Sequence, residues 1–293
     1  MLIQQKLDEM TVKYADSRAS VARFLLEKKA KVNQMSMQQV ADATFTSKPT
    51  LVRIAKGLGF CGWGEFVRNY IEELYRIDKQ VTHSDANLPF DKGDSAQEIA
   101  NKISSVMIES ITDTASMLDI TQLEEAVRIL ERSRRIAVFC LPPNTLLAEL
   151  FRRKMLLIGK PVEILNHSDQ AFNAVTMTDE DCAIMISYSG SNANRAPMRS
   201  LTWLKEHRVP VISITSMGDN LLRRESDCVL TMSSMEKPFS KIATYATEEA
   251  IAYLLNLLYS CFFARNYDRN LTYKLEAAKS IERQRYASNG EKS

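Results

Sequence analysis

Across the first 77 residues apolar side chains recur at helical spacing, as in Val21, Phe24 and Leu25 ahead of the basic run Lys28, Lys29 and Lys31. This spacing predicts one amphipathic helix there and short helices after it. Between 78 and 94 the periodicity fades into VTHSDANLPFDKGD, where Pro, Gly, Asp and Asn gather, and a linker is expected. Ser95-Ala-Gln-Glu98 then forms a capping box ahead of Ile99, Ile103, Val106 and Ile111, and Thr121-Gln-Leu-Glu124 forms a second one. From Arg135 the rhythm changes. Short apolar runs at 136–140, 162–165, 182–187, 209–215 and 228–232 alternate with helical stretches at 146–158, 194–207 and 220–225. Continuous apolar strands alternating with helices predict a parallel sheet covered on both faces. A long helix is expected over 242–264, then a polar tail with a further helical patch. The fold class expected is therefore an all-α bundle followed by a doubly wound α/β domain, divided as 1–77, 78–94, 95–265 and 266–293.

Composition adds little until it is divided along the chain. With 293 residues, 45% hydrophobic and 25% charged, the chain is neither collagen-like, nor disordered, nor a miniature disulfide scaffold. The net charge is only +2, which favours no partner. Residues 1–60, however, hold ten basic and five acidic side chains, so the remainder carries −3. The five cysteines, at 61, 140, 182, 228 and 261, include no CxxC pair, and Cys140, Cys182 and Cys228 fall in apolar runs. They read as buried thiols of a reducing cytosol, and neither a metal nor a cofactor is implied. The N-terminal MLIQQKLDEM has no apolar targeting core, and the apolar stretch near 250–264 is interrupted by Asn256 and Ser260. A cytoplasmic protein with no membrane partner is expected.

The basic excess coincides with a motif. Ser36-Met-Gln-Gln39 is a capping box ahead of Met37, Val40 and Ala41 on one face, Thr44 to Thr46 suit a turn, and Ser47 can cap a second helix. Pro49 is tolerated in that helix's first turn, and Leu51, Ile54, Ala55 and Leu58 form its apolar stripe. Ser47, Thr50 and Arg53 recur every three residues on the opposite side, with Lys48 and Lys56 beside them. A recognition helix presents such an edge to the major groove, where Arg53 can donate twice to guanine and the hydroxyls and ammonium groups can reach bases or phosphates. An ordinary helical hairpin with a solvated basic face has the same spacing.

The run Val40-Ala-Asp-Ala43, Ser47-Lys-Pro-Thr50-Leu-Val-Arg53 and Leu58-Gly59-Phe60-Cys-Gly62-Trp63-Gly-Glu65-Phe66 resembles the DNA-binding domain of the RpiR family of bacterial transcription regulators. Gly59 can take the left-handed conformation that ends a helix, letting Phe60 and Phe66 pack back on the bundle. Phe45 departs from the family pattern, which often has Gly in the turn.

A second motif, Ile186-Ser187-Tyr-Ser189-Gly190-Ser191-Asn192, follows an apolar run directly and is expected to precede a helix. Hydroxyls, a glycine and a helix N-terminus there would cradle an anion such as a phosphate; a Ser-rich turn that only caps the helix fits equally. The motif is similar to the sugar isomerase (SIS) domain, which in RpiR regulators follows the DNA-binding domain and senses phosphosugars. The resemblance covers about 1–265 and implies ligand contacts at Ser187, Ser189, Gly190, Ser191 and Asn192, with Ser240 and Lys241 adding polar contacts near the start of the last helix. In the first strand–helix loop the family usually has Gly-x-Gly-x-Ser, whereas this chain has Cys140-Leu-Pro-Pro-Asn144-Thr145. Two prolines remove amide donors and backbone latitude, and Asn144 and Thr145 remain as hydrogen-bonding groups.

The expectation is thus a regulator that binds a double-stranded DNA operator and responds to a phosphosugar or similar small anion. Two-fold operators favour a homodimer or a dimer of dimers, with helices near 99–111 and 254–263 as seams or as plain core. Two alternatives stand beside it. One is an aldose–ketose phosphosugar isomerase using Glu248, Glu249 or His167 as base. The other is a regulator whose sheet domain only dimerises.

Overall fold

The computed structural model describes the backbone of residues 3–78 and 85–290, and the side chains of 3–74 and 85–280. Residues 79–84, within the expected linker, lie outside the described residues. The described residues form two compact units, one within Met1–Glu109 and Ser234–Ala246, the other within Ser110–Ser233 and Thr247–Ser293.

The first unit is helical: α1 (Ile3–Lys13), α2 (Ser17–Lys28), a 3-10 turn Lys29–Gln34, α3 (Met37–Ala43), α4 (Lys48–Gly57) and α5 (Trp63–Asp78). Their apolar stripes meet in one core of Leu7, Val21, Leu25, Val40, Leu51, Ala55, Phe66 and Tyr70, each fully shielded from solvent. Tyr70 stacks on Phe66, donates its hydroxyl to the Leu25 carbonyl at 2.9 Å, and is pushed up in pKa by burial. The helix α6 (Ala96–Ser116) begins at the expected box, with Ser95 Oγ accepting from the Glu98 amide.

The segment Ser234–Ala246 belongs to this unit as a strap bonded to α1 and to Asn87. Gln5 Nε2 donates to the carbonyls of Ser234 and Glu236 at 2.7 and 3.2 Å. Ser240 Oγ donates to Asp8 at 2.8 Å, and Asn87 Oδ1 accepts from the Lys237 amide at 2.6 Å. Gln5, Asp8, Asn87 and Glu236 are all buried, so these bonds replace water that the groups would otherwise need.

The second unit starts from α7 (Ile120–Arg132) and alternates β1 (Ile136–Phe139), α8 (Asn144–Leu156), β2 (Val162–Ile164), α9 (Gln170–Thr176), β3 (Cys182–Ser187), α10 (Leu201–Glu206), β4 (Val211–Ser216), α11 (Leu221–Glu225) and β5 (Cys228–Met232), before α12 (Tyr245–Arg265) and α13 (Tyr267–Gly290). The strands form a parallel sheet in the order β2-β1-β3-β4-β5. Alternate residues face opposite cores, as the pleat requires. Ile136, Val138, Ile184, Ile186, Ile212 and Leu230 pack with α7, α8 and α12, whereas Ala137, Phe139, Ala183, Met185 and Val211 pack with α9, α10 and α11. The all-α bundle and the doubly wound parallel sheet are both as expected.

Three local expectations differ. The cap of α7 is Asp119, whose carboxylate accepts from the amides of Thr121 and Gln122; a carboxylate beats the downstream Thr121 because it reaches two orphan donors at once. The helix α9 lies where the sequence predicts no element, its seven residues being too few for a visible period. The helix expected over 194–207 shrinks to a 3-10 turn Met198–Ser200 and α10. Upstream, Asn192 Oδ1 binds the Asn194 amide in a local turn, and Pro197 lacks the amide a longer helix would use.

Candidate functional site

Two polar surfaces stand out, one in each unit. In the first unit, Ser36 and Gln39 exchange reciprocal bonds that start α3, with Ser36 Oγ accepting from the Gln39 amide and Gln39 Oε1 from the Ser36 amide. The turn follows, and Ser47 Oγ accepts from the Thr50 amide to start α4 with Pro49 in its first turn. Leu51, Ile54 and Ala55 are buried and Leu58 is half-buried, which turns the other side of α4 outward. Ser47, Lys48, Arg53 and Lys56 are exposed and Thr50 half-buried. The hydroxyls of Ser47 and Thr50 lie 3.0 Å apart, and Arg53 Nη2 donates to Thr50 Oγ1 at 3.2 Å. The sequence-predicted edge is thus assembled as one chain of hydrogen bonds, which restrains the Arg53 guanidinium and still leaves it further donors.

A groove of about 620 Å³ flanks this edge, with Lys6, Lys13, Arg18 and Arg53 on its walls and Glu9 and Asp16 as its acidic members. Asp16 is held at about 2 by hydrogen bonds from the Arg18 side chain and backbone, so Arg18 is largely neutralised. Burial raises the Glu9 pKa, against the opposing pull of Lys13 and Lys6.

In the second unit the sheet order reverses between β1 and β3, and the loops after these neighbouring strands splay apart there. Such a switch point, at the carboxyl ends of parallel strands, is where doubly wound sheets place ligands. One wall is the loop after β1. Its Cys140 carbonyl accepts from buried Gln170 Nε2 at 2.8 Å, and Asn144 and Thr145, both half-buried, open α8. The Cys140 thiol is pushed up to about 12 by burial, so it is a packing group rather than a nucleophile.

The other wall is the hydroxyl-rich loop. Ser187 Oγ accepts from the Gly190 amide at 3.2 Å, Ser191 Oγ donates to the Ser189 carbonyl at 2.8 Å, and Asn192 caps Asn194. Gly190, at φ +56°, sits so close to β4 and α11 that a Cβ there would come 2.5 Å from Asn220 Oδ1 and 2.8 Å from Thr215 Oγ1. Its carbonyl accepts from the Leu222 amide at 2.9 Å, and the Ser216 amide donates to the Tyr188 carbonyl. The loop is pinned by its backbone, leaving the half-buried Ser189 hydroxyl without a partner among the described residues.

The helix dipole expected immediately behind this loop is absent there, because α10 starts only at Leu201. Across the switch point α8 begins at Asn144, where the Asn144 and Leu146 amides donate to the Leu141 and Pro143 carbonyls, each at 3.0 Å. Ser240 and Lys241 belong to the first unit, where Ser240 donates to Asp8 and Lys241 pairs with Glu236 at 2.9 Å. Gln170 carries no motif in the sequence. Its Oε1 is buried without a hydrogen-bond partner, as is Ser216 Oγ at the end of β4, and such atoms beside a crevice suit a water or a ligand. The only trace was an amide residue at the start of an unrecognised helix. Of the isomerase candidates, His167 is exposed between β2 and α9, and Glu248, in the first turn of α12, and Glu249, just after it, are half-buried. Among the described residues no helix is long and apolar enough to cross a membrane, and no cluster of His, Cys, Asp and Glu could hold a metal.

Geometry and topology together define a helix-turn-helix unit joined to a doubly wound sugar-isomerase-type unit. Residues 1–75 match the model described as "Helix-turn-helix domain, rpiR family", and residues 129–256 match "SIS domain". Together the matches take in more than half of the chain, which belongs to the RpiR family of helix-turn-helix transcriptional regulators. A relative described as an "Uncharacterized HTH-type transcriptional regulator" from Haemophilus influenzae is 26% identical over 259 residues, covering 88% of both chains. Among solved structures, "The Vibrio vulnificus NanR protein complexed with ManNAc-6P" has the same fold at 19% identity, with a TM-score of 0.60 over 96% of this chain and 98% of that one. The sugar isomerase domain of an RpiR transcription factor from Sphaerobacter thermophilus aligns at 17% identity and TM-score 0.54, covering 62% of this chain and 99% of its own. The chain is a DNA-binding regulator by this membership, and the Haemophilus influenzae relative is likewise described as a transcriptional regulator.

Proposed function

We propose that this regulator reads its operator through Ser47, Lys48, Thr50, Arg53 and Lys56, and that a phosphorylated sugar bound at the β1/β3 switch point changes its affinity for DNA. The observation that carries the reading is the pinned loop 187–192 at the end of β3, beside the end of β1 from which the chain leads into α8. Donors are concentrated there without a fixed negative charge among the named lining residues. The Ser189 hydroxyl and the side chains of Asn144 and Thr145 would hold the phosphate and sugar hydroxyls, with Ser187, Gly190, Ser191 and Asn192 shaping the loop. The phosphosugar in the Vibrio vulnificus NanR complex supports this class of effector. Ser240 and Lys241 could contribute only by exchanging their bonds to Asp8 and Glu236.

The functional division we adopt is a reader at 1–77, a linker at 78–94, a sensor at 95–265 and a helical tail at 266–293. A homodimer or dimer of dimers in the cytoplasm would match two-fold operators. Regulation requires the effector to bind the DNA-competent and incompetent states unequally. Titration calorimetry against a panel of sugar phosphates tests the sensor: heat that disappears in Ser189→Ala supports it, and no heat from any member favours a sheet unit that only dimerises. Selection of bound DNA fragments with and without the same panel tests the coupling.

A further inference from the structure

Two helix ends in the first unit are closed by the same hydrogen-bond pattern. After α4, the Gly59 amide donates to the Lys56 carbonyl at 3.0 Å and the Phe60 amide to Ala55 at 3.1 Å. After α3, the Phe45 amide donates to the Asp42 carbonyl at 3.2 Å and the Thr46 amide to Ala41 at 2.9 Å. Both are Schellman closures, and both place one residue in the left-handed region, Gly59 at φ 97° and Phe45 at φ 52°. Glycine adopts that region without a Cβ clash, whereas a residue with a bulky side chain is strained there.

Packing does not compensate Phe45. Its side chain is 97% exposed, against complete burial for Phe66 in the same bundle. An exposed aromatic is ordinary on its own; one held in a strained conformation, at a closure that glycine would fill without strain, points outward to function. The base of the ring is also rigid. Thr44 is buried and donates its hydroxyl to the Val40 carbonyl at 2.8 Å, and the Thr44 and Thr46 hydroxyls lie 2.9 Å apart.

Phe45 stands two residues before Ser47, the cap of α4, and three before the exposed Lys48. The first turn of a recognition helix enters the major groove, where the apolar group on offer is the thymine 5-methyl. We propose that Phe45 is a specificity-determining contact of this regulator, its ring packing on the 5-methyl group of a thymine at the edge of the operator. The proposal rests on α4 being the recognition helix, and its test separates the two.

Full-length wild type, Phe45→Gly and Arg53→Ala are compared on the duplex that wild type selects from a random pool. Each thymine of that duplex is replaced singly by deoxyuridine. One replacement should weaken wild-type binding about fourfold, the worth of one desolvated methyl group. Phe45→Gly should lose at least as much affinity on the unmodified duplex and no longer sense that replacement, while its thermal midpoint stays level or rises as the strain is relieved. Phe45→Gly binding like wild type, or sensing every thymine as wild type does, overturns the proposal. So does a lowered midpoint, which would assign the ring to folding. If Arg53→Ala weakens binding while Phe45→Gly does not, the thymine contact alone fails; if wild type selects no duplex, the recognition-helix reading falls with it.

Discussion

The two polar surfaces use the same residue types in opposite ways. On α4 the side chains of Ser47, Thr50 and Arg53 are bonded to one another but stay on the outside of the bundle, over a helix whose position is set by Leu51 and Ala55. In the loop after β3, Ser187, Ser191 and Asn192 turn back onto backbone groups, and Gly190 is wedged against Thr215 and Asn220. The first surface is therefore written in side chains and open to substitution without loss of fold. The second is written in backbone shape, so chemistry and folding are inseparable there.

The sharpest way to break this contrast is Gly190→Ala. The new Cβ must displace Asn220 Oδ1 and Thr215 Oγ1 and hold a left-handed φ, for which we expect a loss of about 2–4 kcal/mol from strain and overpacking together. Thermal unfolding reads this directly, and an unchanged midpoint would show the loop to be pliable. Arg53→Ala should do the reverse. Unfolding should shift by no more than about 0.5 kcal/mol, as for other exposed positions, while operator affinity falls by about 1–3 kcal/mol in a binding titration. A destabilised Arg53→Ala protein would erase the distinction.

Ser47 lies on the border, since it both caps α4 and faces outward. Ser47→Ala should lower stability by about 1 kcal/mol through the lost cap, and Ser47→Asp should restore stability while weakening DNA binding by charge. The smallest effect concerns thiols. At pH 8 Ellman's reagent should label exposed Cys61 promptly in the folded protein and spare Cys140, Cys182 and Cys228, whose pKa values are raised by burial. The sign follows from the shift: raised pKa values keep these three as neutral thiols until well above pH 8. Prompt labelling of all four would mean that the sheet opens more readily than its packing implies.

Much of this was legible in local pattern. Capping boxes at Ser36 and Ser95, the Ser47 cap with Pro49, and the five apolar runs of the sheet each occupy a few consecutive residues, and each forms close to its expected place. The RpiR resemblance drew on the same local runs. What escaped depends on partners distant in the chain. Gln170 matters because it meets Cys140, and Gln5 and Asp8 because they meet the strap more than two hundred residues later; neither pairing leaves a period in the sequence. The shortened α10 was missed for a related reason. Helical propensity over 194–200 is overridden by a turn that Asn192 closes.

The strap also limits how this protein can be taken apart or recombined. A fragment ending at Glu109 would retain Gln5, Asp8 and Asn87 but lack Ser234–Ala246, stripping buried donors and acceptors of their partners, each such loss worth about 1–3 kcal/mol. Grafting the DNA reader onto another effector domain would therefore mean carrying two pieces of chain, because the cassette is discontinuous.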